Sequence, residues 1–293
     1  MNIGLIKLRA NLMLLLTALI WGVTFVAQKS AMDNIQPFMF NALRSVIGAF
    51  ILFLISFFIK EKKKIKQKPL VEGGLILGAL LFLGMAFQQI GIVTTTAGHA
   101  GFISSLYIVM VPLFSMLLGK KVEKFVWLGI LLAIFGLYLL CVKDGFRIST
   151  GDLSVLFSGV FFALHIVCIS KYANKTDPIK LSCLQFFFAG IFSLFVSLIF
   201  ETTTVSGIVF ASKELLYAGV LSCAIGFTLQ IVAQKHVRPY IASLILSLES
   251  VFALLAGFLL LNEMLTLKEF FGCVLMFVAV FVAQYHRKKP KID

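Results

Sequence analysis

The stretch Gly84-Met-Ala-Phe-Gln88 returns in the second half of the chain as Gly226-Phe-Thr-Leu-Gln230, with the glycine and the glutamine in the same places. A polar side chain is costly inside a long apolar segment, so a glutamine that returns after the same glycine is informative. Further matches lie on both sides of this stretch and keep almost the same spacing along the chain. They are Pro37 with Pro178, Glu72 with Glu214, and Gly129 with Gly272. The ordered set indicates that the second half of the chain repeats the first.

Long apolar segments fill both halves. The chain of 293 residues is 60% hydrophobic and only 13% charged, which is too apolar for a water-soluble domain. A helix of about 20 apolar residues crosses a hydrocarbon core of about 30 Å. The sequence predicts ten such spans, near residues 11–28, 39–59, 70–93, 97–118, 125–142, 151–171, 180–200, 212–234, 240–261 and 265–285.

The number of spans in each half determines how the halves are related. Five is odd, so a second half that repeats the first must cross the bilayer in the opposite sense. The prediction is an all-α integral membrane protein with ten transmembrane helices, arranged as two inverted five-helix repeats. Residues 1–148 are expected to form the first repeat and residues 149–293 the second.

The distribution of charge predicts the topology. The chain has 26 Lys and Arg residues against 13 Asp and Glu, a net charge of +13. Most of the cations share one side if both termini are cytoplasmic, which is the positive-inside bias of a multi-pass protein of the cell membrane. A nucleic-acid-binding surface would need them on one exposed face, so no nucleic-acid partner is predicted. The run Lys60-Glu61-Lys62-Lys63-Lys64 is expected to contact anionic lipid headgroups or to serve only as a solvated topology signal.

Several short motifs together resemble one transporter family. They are Trp21-Gly22, Pro37 followed by Arg44, Ala100 to Pro112, Ser247-Leu248-Glu249, and Asn262-Glu263. In this order the chain resembles the EamA family of the drug/metabolite transporter superfamily over nearly its whole length. The resemblance implies ten helices in inverted five-helix repeats and the export or uptake of small metabolites. Ser250 stands where the family often has proline after the glutamate, which gives less reason to expect a kink in the ninth span.

Polar and aromatic residues form a stripe on the first span. Thr17, Trp21, Thr24 and Gln28 share one helical face, because they are three or four residues apart. The equivalent positions of the sixth span are Ser158, Phe162, His165 and Ile169. These faces are expected either to line a central cavity for a small amphipathic solute or to serve as helix-packing faces.

Glu249 is the most informative single residue. It lies about 13 Å into its span, near the middle of the bilayer, where an ionised carboxyl must be paired or hydrated. The hypothesis is that Glu249 couples proton movement to transport or binds an amine group. The alternative is a structural carboxyl that braces helix contacts with Ser247 or Ser250. Its equivalent in the first half is Tyr107 at an offset of 142 or Leu106 at an offset of 143. Neither is acidic, so the site is expected to be symmetric in fold but not in chemistry.

Three further polar residues are candidates for gating or coupling. Arg44 lies inside the second span, where it is expected to snorkel to the interface or to attract an anionic group. Gln88 and Gln230 lie toward opposite membrane faces in the two halves, where they are expected to act as gates or to form interhelical hydrogen bonds.

The pattern favours a secondary transporter over two other classes. The predicted function is alternating-access movement of a small metabolite, an amino-acid-like or amphipathic solute, with protons as a second candidate ligand. The expected direction, export, comes from the resemblance alone. One alternative is a flippase for a lipid or lipid-linked substrate, which would have the same inverted-repeat fold. The other is a lipid-modifying enzyme, which would need clustered acidic residues that the sequence lacks. The cysteines show no metal-ligand spacing, so no metal is predicted. The sequence also predicts no cofactor and no catalytic residue, and it does not indicate an oligomeric state.

Overall fold

The structure is a computed structural model, and it describes residues 3–58, 67–141, 149–261 and 266–285. Some sequence features therefore lie outside the described residues. They are the lysine run Lys60-Glu61-Lys62-Lys63-Lys64, the motif Asn262-Glu263, and the predicted repeat boundary between residues 148 and 149, which falls at the edge of the gap 142–148.

Every regular element in the described residues is helical. Fourteen α-helices and one π-helical segment follow one another along the chain. They are α1 (Ile3–Ala31), α2 (Pro37–Phe58), α3 (Gln67–Thr94), α4 (Ala97–Ser105), α5 (Tyr107–Leu117), α6 (Lys124–Cys141), α7 (Thr150–Tyr172), α8 (Pro178–Phe200), α9 (Val205–Phe210), α10 (Ser212–Leu216), the π segment (Tyr217–Gly226), α11 (Phe227–Gln234), α12 (Pro239–Leu246), α13 (Glu249–Leu261) and α14 (Leu267–Tyr285).

These elements form the predicted spans. In the described residues nine segments are long and apolar enough to cross a membrane, and α6 is a shorter apolar helix at the fifth position. The fourth span consists of α4 and α5, the eighth of α10, the π segment and α11, and the ninth of α12 and α13. The predicted all-α, ten-helix fold is thus confirmed. We call the side that holds the start of α1 and the end of α14 the terminal side, and the other the distal side.

The packing follows the repeat. Helix α6 packs along α14 and α2 packs along α8, so equivalent spans of the two halves meet each other. A Cβ atom added to Gly78 would lie 2.7 Å from the Gln185 carbonyl oxygen, and one added to Gly219 would lie 3.1 Å from the Arg44 carbonyl oxygen. Gln185 is the repeat equivalent of Arg44, and Gly219 lies one residue before Val220, the repeat equivalent of Gly78. Similar close approaches of helices therefore occur in both places, and the two halves interleave around a shared interior.

The fourth and ninth spans are broken at equivalent places. Helix α4 ends at Ser105 and α5 begins at Tyr107, while α12 ends at Leu246 and α13 begins at Glu249. The break in the ninth span occurs without the family's proline. Serine supplies a reason, because the hydroxyls of Ser243, Ser247 and Ser250 each donate to the backbone carbonyl oxygen three residues earlier. Paired broken helices near mid-depth are a feature of transporter folds built from inverted repeats.

The eighth span contains a wide turn that its counterpart lacks. The π segment Tyr217–Gly226 lies within it, and the amide of Phe227 donates to the carbonyl oxygen of Ser222, five residues earlier. The equivalent part of α3 is α-helical. π-Helical turns inside α-helices are frequently found at functional sites.

Gly22 allows α1 and α13 to touch, and we expect Gly22→Ala to destabilise the protein. An added Cβ would lie 2.6 Å from Phe252 Cβ and 2.7 Å from the Glu249 carbonyl oxygen, so the helices must separate. Overpacking of this kind costs about 1–3 kcal/mol, more than alanine gains in helix propensity. The readout is the thermal unfolding midpoint in detergent. Gly101→Ala is the matched control, because its Cβ would meet nothing nearer than 3.8 Å. Equal midpoints for the two variants would contradict the expectation.

Candidate functional site

A central cavity of about 50 Å³ lies between the two halves. Its lining comes from α1, α2, α3, the broken fourth span, α7, the eighth span and the start of α13. All ten residues that the sequence singles out line it. They are Trp21, Thr24, Gln28, Arg44, Gln88, Tyr107, Phe162, His165, Gln230 and Glu249.

Most of the lining residues are related in pairs by the repeat. Trp21 is equivalent to Phe162, Gln88 to Gln230, and Tyr107 to Glu249. Thr24 pairs with His165 in the same way. Because equivalent positions of both halves face one space, the cavity lies at the interface between the two repeats. The other residues of the two predicted stripes, Thr17, Ser158 and Ile169, do not line it, and the Thr17 hydroxyl instead donates to the backbone carbonyl oxygens of Met13 and Gly226.

Glu249 lies in the cavity wall at the first residue of α13, and its side chain is buried. Its Oε1 accepts hydrogen bonds from the Tyr107 hydroxyl at 3.1 Å and the Ser105 hydroxyl at 3.4 Å. Its partners thus come from the fourth span, and Ser247 and Ser250 bond backbone carbonyls instead. Among the described residues, no hydrogen bond reaches the other carboxyl oxygen. The residue that the repeat makes equivalent to Glu249 is therefore also its direct partner.

Arg44 is also in the cavity wall and not at the membrane interface. Its side chain is only 3% exposed, and the guanidinium carbon lies 5.3 Å from the centre of the Phe40 ring. Its Nε has no hydrogen-bond partner within the described part of the chain. The snorkelling orientation considered from the sequence is therefore wrong, because burial keeps the guanidinium inside the bundle.

Amides and one imidazole complete the polar lining. Gln88 donates to the Ser104 hydroxyl at 2.9 Å, and His165 Nε2 lies 3.1 Å from Gln185 Oε1. Neither amide atom of Gln230 has a partner in the described ranges, and the same holds for Gln28 Oε1 and Trp21 Nε1. Buried polar atoms are costly when unpaired, so these groups suit a site that binds water or a polar solute.

Phe227 is the aromatic centre of the cavity, and sequence reasoning missed it. Its ring centre lies 4.5 Å from that of Trp21, 5.2 Å from Phe186 and 5.8 Å from His165. Other lining residues missed are Phe25, Met85, Ser104, Ile166, Ser222 and Cys223. The repeat was the available signal, because Met85 pairs with Phe227 and Phe25 pairs with Ile166 in the same register as the residues that the sequence singled out.

A second, open cavity lies on the terminal side, and we call it the vestibule. Its cationic residues are Lys120, Lys121, Lys235 and Arg238, with His236 beside them. Its acid, Glu123, pairs with Arg238 and accepts a hydrogen bond from the Tyr240 hydroxyl at 2.7 Å. Burial opposes ionisation of Glu123, but these hydrogen bonds and the cation together lower the pKa of its carboxyl below the usual value. Glu123 therefore stays charged and neutralises part of the vestibule.

Each half of the chain matches the same known protein family. The sequence model of the EamA-like transporter family matches residues 8–142 and again residues 149–285. The chain belongs to the EamA-like transporter family. The two matches fall on successive halves of the chain, and together they cover nearly all of it.

Proteins from several organisms are similar to this chain over most of their length. One is an uncharacterized transporter of Archaeoglobus fulgidus, which is 36% identical over 95% of this chain and 87% of its own. Another is the uncharacterized transporter YoaV of Bacillus subtilis, which is 27% identical over 94% of this chain and 96% of its own. A crystal structure superposes with a TM-score of 0.78 at 17% identity, covering 94% of this chain and 96% of that one, and it supports the fold alone. This EamA-like chain is thus a multi-pass membrane protein of a transporter family.

Proposed function

We propose that the protein is a secondary transporter that moves a small amphipathic, amino-acid-like solute across the cytoplasmic membrane by alternating access. The central cavity is its binding site. The observation that carries this proposal is the pairing of lining residues across the repeat. Inverted halves present the same surfaces toward opposite sides, so equivalent movements can open a site between them to either side in turn.

The chemistry of the lining supports an amphipathic cargo. Trp21, Phe162 and Phe227 offer aromatic contact area, while Arg44, Glu249 and the unpaired amide of Gln230 offer charge and hydrogen bonds. Sites for small molecules typically combine mainly apolar walls with a few polar groups that orient the ligand. An amino-acid-like solute has both parts.

Glu249 is the residue that we propose to couple transport to protons. Tyr107 and Ser105 hold one carboxyl oxygen, so the acid is oriented and the other oxygen is left for a proton or an amine group. Both ligands cannot occupy that oxygen at once. Competition between them would link solute movement to the proton gradient.

The direction and the topology are parts of the same proposal. The vestibule cations lie on the terminal side, which supports placing that side and both chain ends in the cytoplasm. Export is the direction that the family resemblance implies. The vestibule would then be the entrance for cytoplasmic solute.

A lipid cargo is less well supported. None of the residues that line the cavity is exposed on the surface of the helix bundle, and large apolar side chains such as Phe195 and Phe281 face outward instead. A flippase needs a path on which the acyl chains stay in lipid while the headgroup crosses. A cavity whose lining side chains are not exposed on the bundle surface favours a water-soluble metabolite.

Counterflow in proteoliposomes tests the proposal. Vesicles that contain the purified protein are loaded with one unlabelled metabolite and diluted into a trace of the same labelled metabolite, over a panel of amino acids and related amphipathic solutes. We expect labelled solute to enter transiently above its external concentration for at least one panel member, because exchange needs no energy source. Entry no faster than into protein-free vesicles across the whole panel would contradict the proposal.

A further inference from the structure

We propose that Arg44 is an anion-binding residue, so that the transported solute bears an acidic group, a carboxylate or a similar oxyanion. This inference rests on the proposed function and specifies its substrate class. Four features support it, namely the position of Arg44, the absence of a counter-charge among the described residues, its equivalent in the other half, and the charge of the vestibule.

The position of Arg44 is deep. It is seven residues past Pro37, the first residue of α2, which places it about 10 Å into the helix at about 1.5 Å per residue. Its side chain is 3% exposed and shares the cavity wall with Ser222 and Cys223. A cation at this depth that faces a cavity is available to a ligand in that cavity.

The guanidinium has no protein counter-ion within the described ranges. Its Nε is unpaired, and the ion pairs found there, Lys171 with Glu72 and Arg238 with Glu123, do not include it. The Phe40 ring contributes a cation–π contact, which is far weaker than a charge-assisted pair. Glu249, the acidic residue of the lining, is bound to Tyr107 and Ser105 instead. Arginine offers a planar fork of donors that matches a carboxylate, so a solute carboxylate can supply the missing charge.

The equivalent residue in the other half shows that the fold itself needs no cation here. It is Gln185, and its amide is satisfied within the protein. Its Nε2 donates to the Ser182 hydroxyl at 3.3 Å, and its Oε1 lies 3.1 Å from His165 Nε2. One half thus fills this position with a self-contained polar cluster, whereas the other presents an open cation to the cavity. A structural role would favour the first arrangement in both halves.

The vestibule gives a second, independent indication of an anionic solute. Its four cations outnumber its single acid, and a cleft lined by one sign of charge raises the local concentration of ligands of the opposite sign. Gln234 lines the vestibule, and its Nε2 donates to the Ile166 carbonyl oxygen at 2.9 Å. Ile166 lines the central cavity, so this hydrogen bond joins a residue of the cationic vestibule to a residue of the space that contains Arg44.

The test compares solutes that differ only in this charge. Binding of several apolar and aromatic amino acids, each paired with its carboxamide, is measured by the protection of Cys223 from N-ethylmaleimide, with the other four cysteines replaced by serine. We expect each carboxylate that protects to do so at concentrations at least about 30-fold lower than its carboxamide. Arg44→Gln, which copies the residue of the other half, should abolish the difference, and Arg44→Lys should retain part of it.

The outcomes separate the two proposals. Equal protection by carboxylates and carboxamides, no protection by any carboxylate, or a preference that persists in Arg44→Gln would each overturn the anion site. If carboxylates protect Cys223 but no solute is exchanged in proteoliposomes, the anion site stands and the transport proposal fails. If Arg44→Gln fails to fold, the Arg44→Lys variant and the comparison of carboxylates with carboxamides in the wild-type protein still test the anion site.

Discussion

Glu249→Gln is expected to abolish accumulation of solute driven by a pH gradient while leaving exchange at equal pH largely intact. Glutamine keeps the shape of the side chain and an oxygen that can accept from Tyr107 and Ser105, but it cannot gain or lose a proton. One pH unit is worth about 1.4 kcal/mol, so one proton per solute allows about 100-fold accumulation across two units. The variant should show no accumulation under the same gradient.

The measurement is labelled solute inside proteoliposomes with and without a pH gradient, for the wild type and for two variants. Glu214→Gln is the matched control, because Glu214 lies outside the cavity, near the distal end of its span, with Ser30 as its hydrogen-bond partner at 3.3 Å. It should behave as the wild type does. Accumulation by Glu249→Gln equal to that of the wild type would remove Glu249 from the coupling step.

Phe227→Ala is expected to weaken solute binding about tenfold or more. The Phe227 ring lies against Trp21, Phe186 and His165, so its loss removes part of the cavity wall and the support of the Trp21 ring. Burial of an aromatic side chain contributes about 1.5–3 kcal/mol, which corresponds to roughly one or two orders of magnitude in affinity. The readout is the solute concentration that gives half-maximal counterflow.

A second phenylalanine provides the comparison. Phe195 is 66% exposed on the lipid-facing surface, and Phe195→Ala removes the same atoms without touching the cavity. Its half-maximal concentration should match that of the wild type. If both substitutions weaken transport to the same extent, the effect of Phe227 comes from general stability and not from the cavity wall.

The sequence predicted the fold, and its ten candidate site residues lie along one cavity, because both follow from the repeat. Residues at equivalent positions of inverted halves face a common interior, so polar residues at matched positions lie around the same space. The predicted span 212–234 has the bounds that the structure gives, and 180–200 differs only in starting at Pro178. Helix α1 begins well before the predicted start because its first turns, which carry Lys7 and Arg9, continue the helix beyond the predicted span.

The remaining features depend on contacts that apolarity does not reveal. Phe227 is one of 31 phenylalanines, so its residue type does not mark it as central, and only its place beside the repeated Gly226 could have done so. The fourth span is interrupted at Leu106, while Pro112 lies inside α5. Hydrogen-bond partners such as Ser104 for Gln88 and Gln185 for His165 lie on other helices, and their choice requires the three-dimensional arrangement.

The π turn of the eighth span makes the two halves unequal, because the equivalent part of α3 is α-helical. In the alternating-access cycle that we propose, identical halves would give the forms open to the two compartments nearly the same free energy. A wide turn in one half alone removes that equivalence. Under the proposal, a population without solute or gradient would therefore favour one orientation.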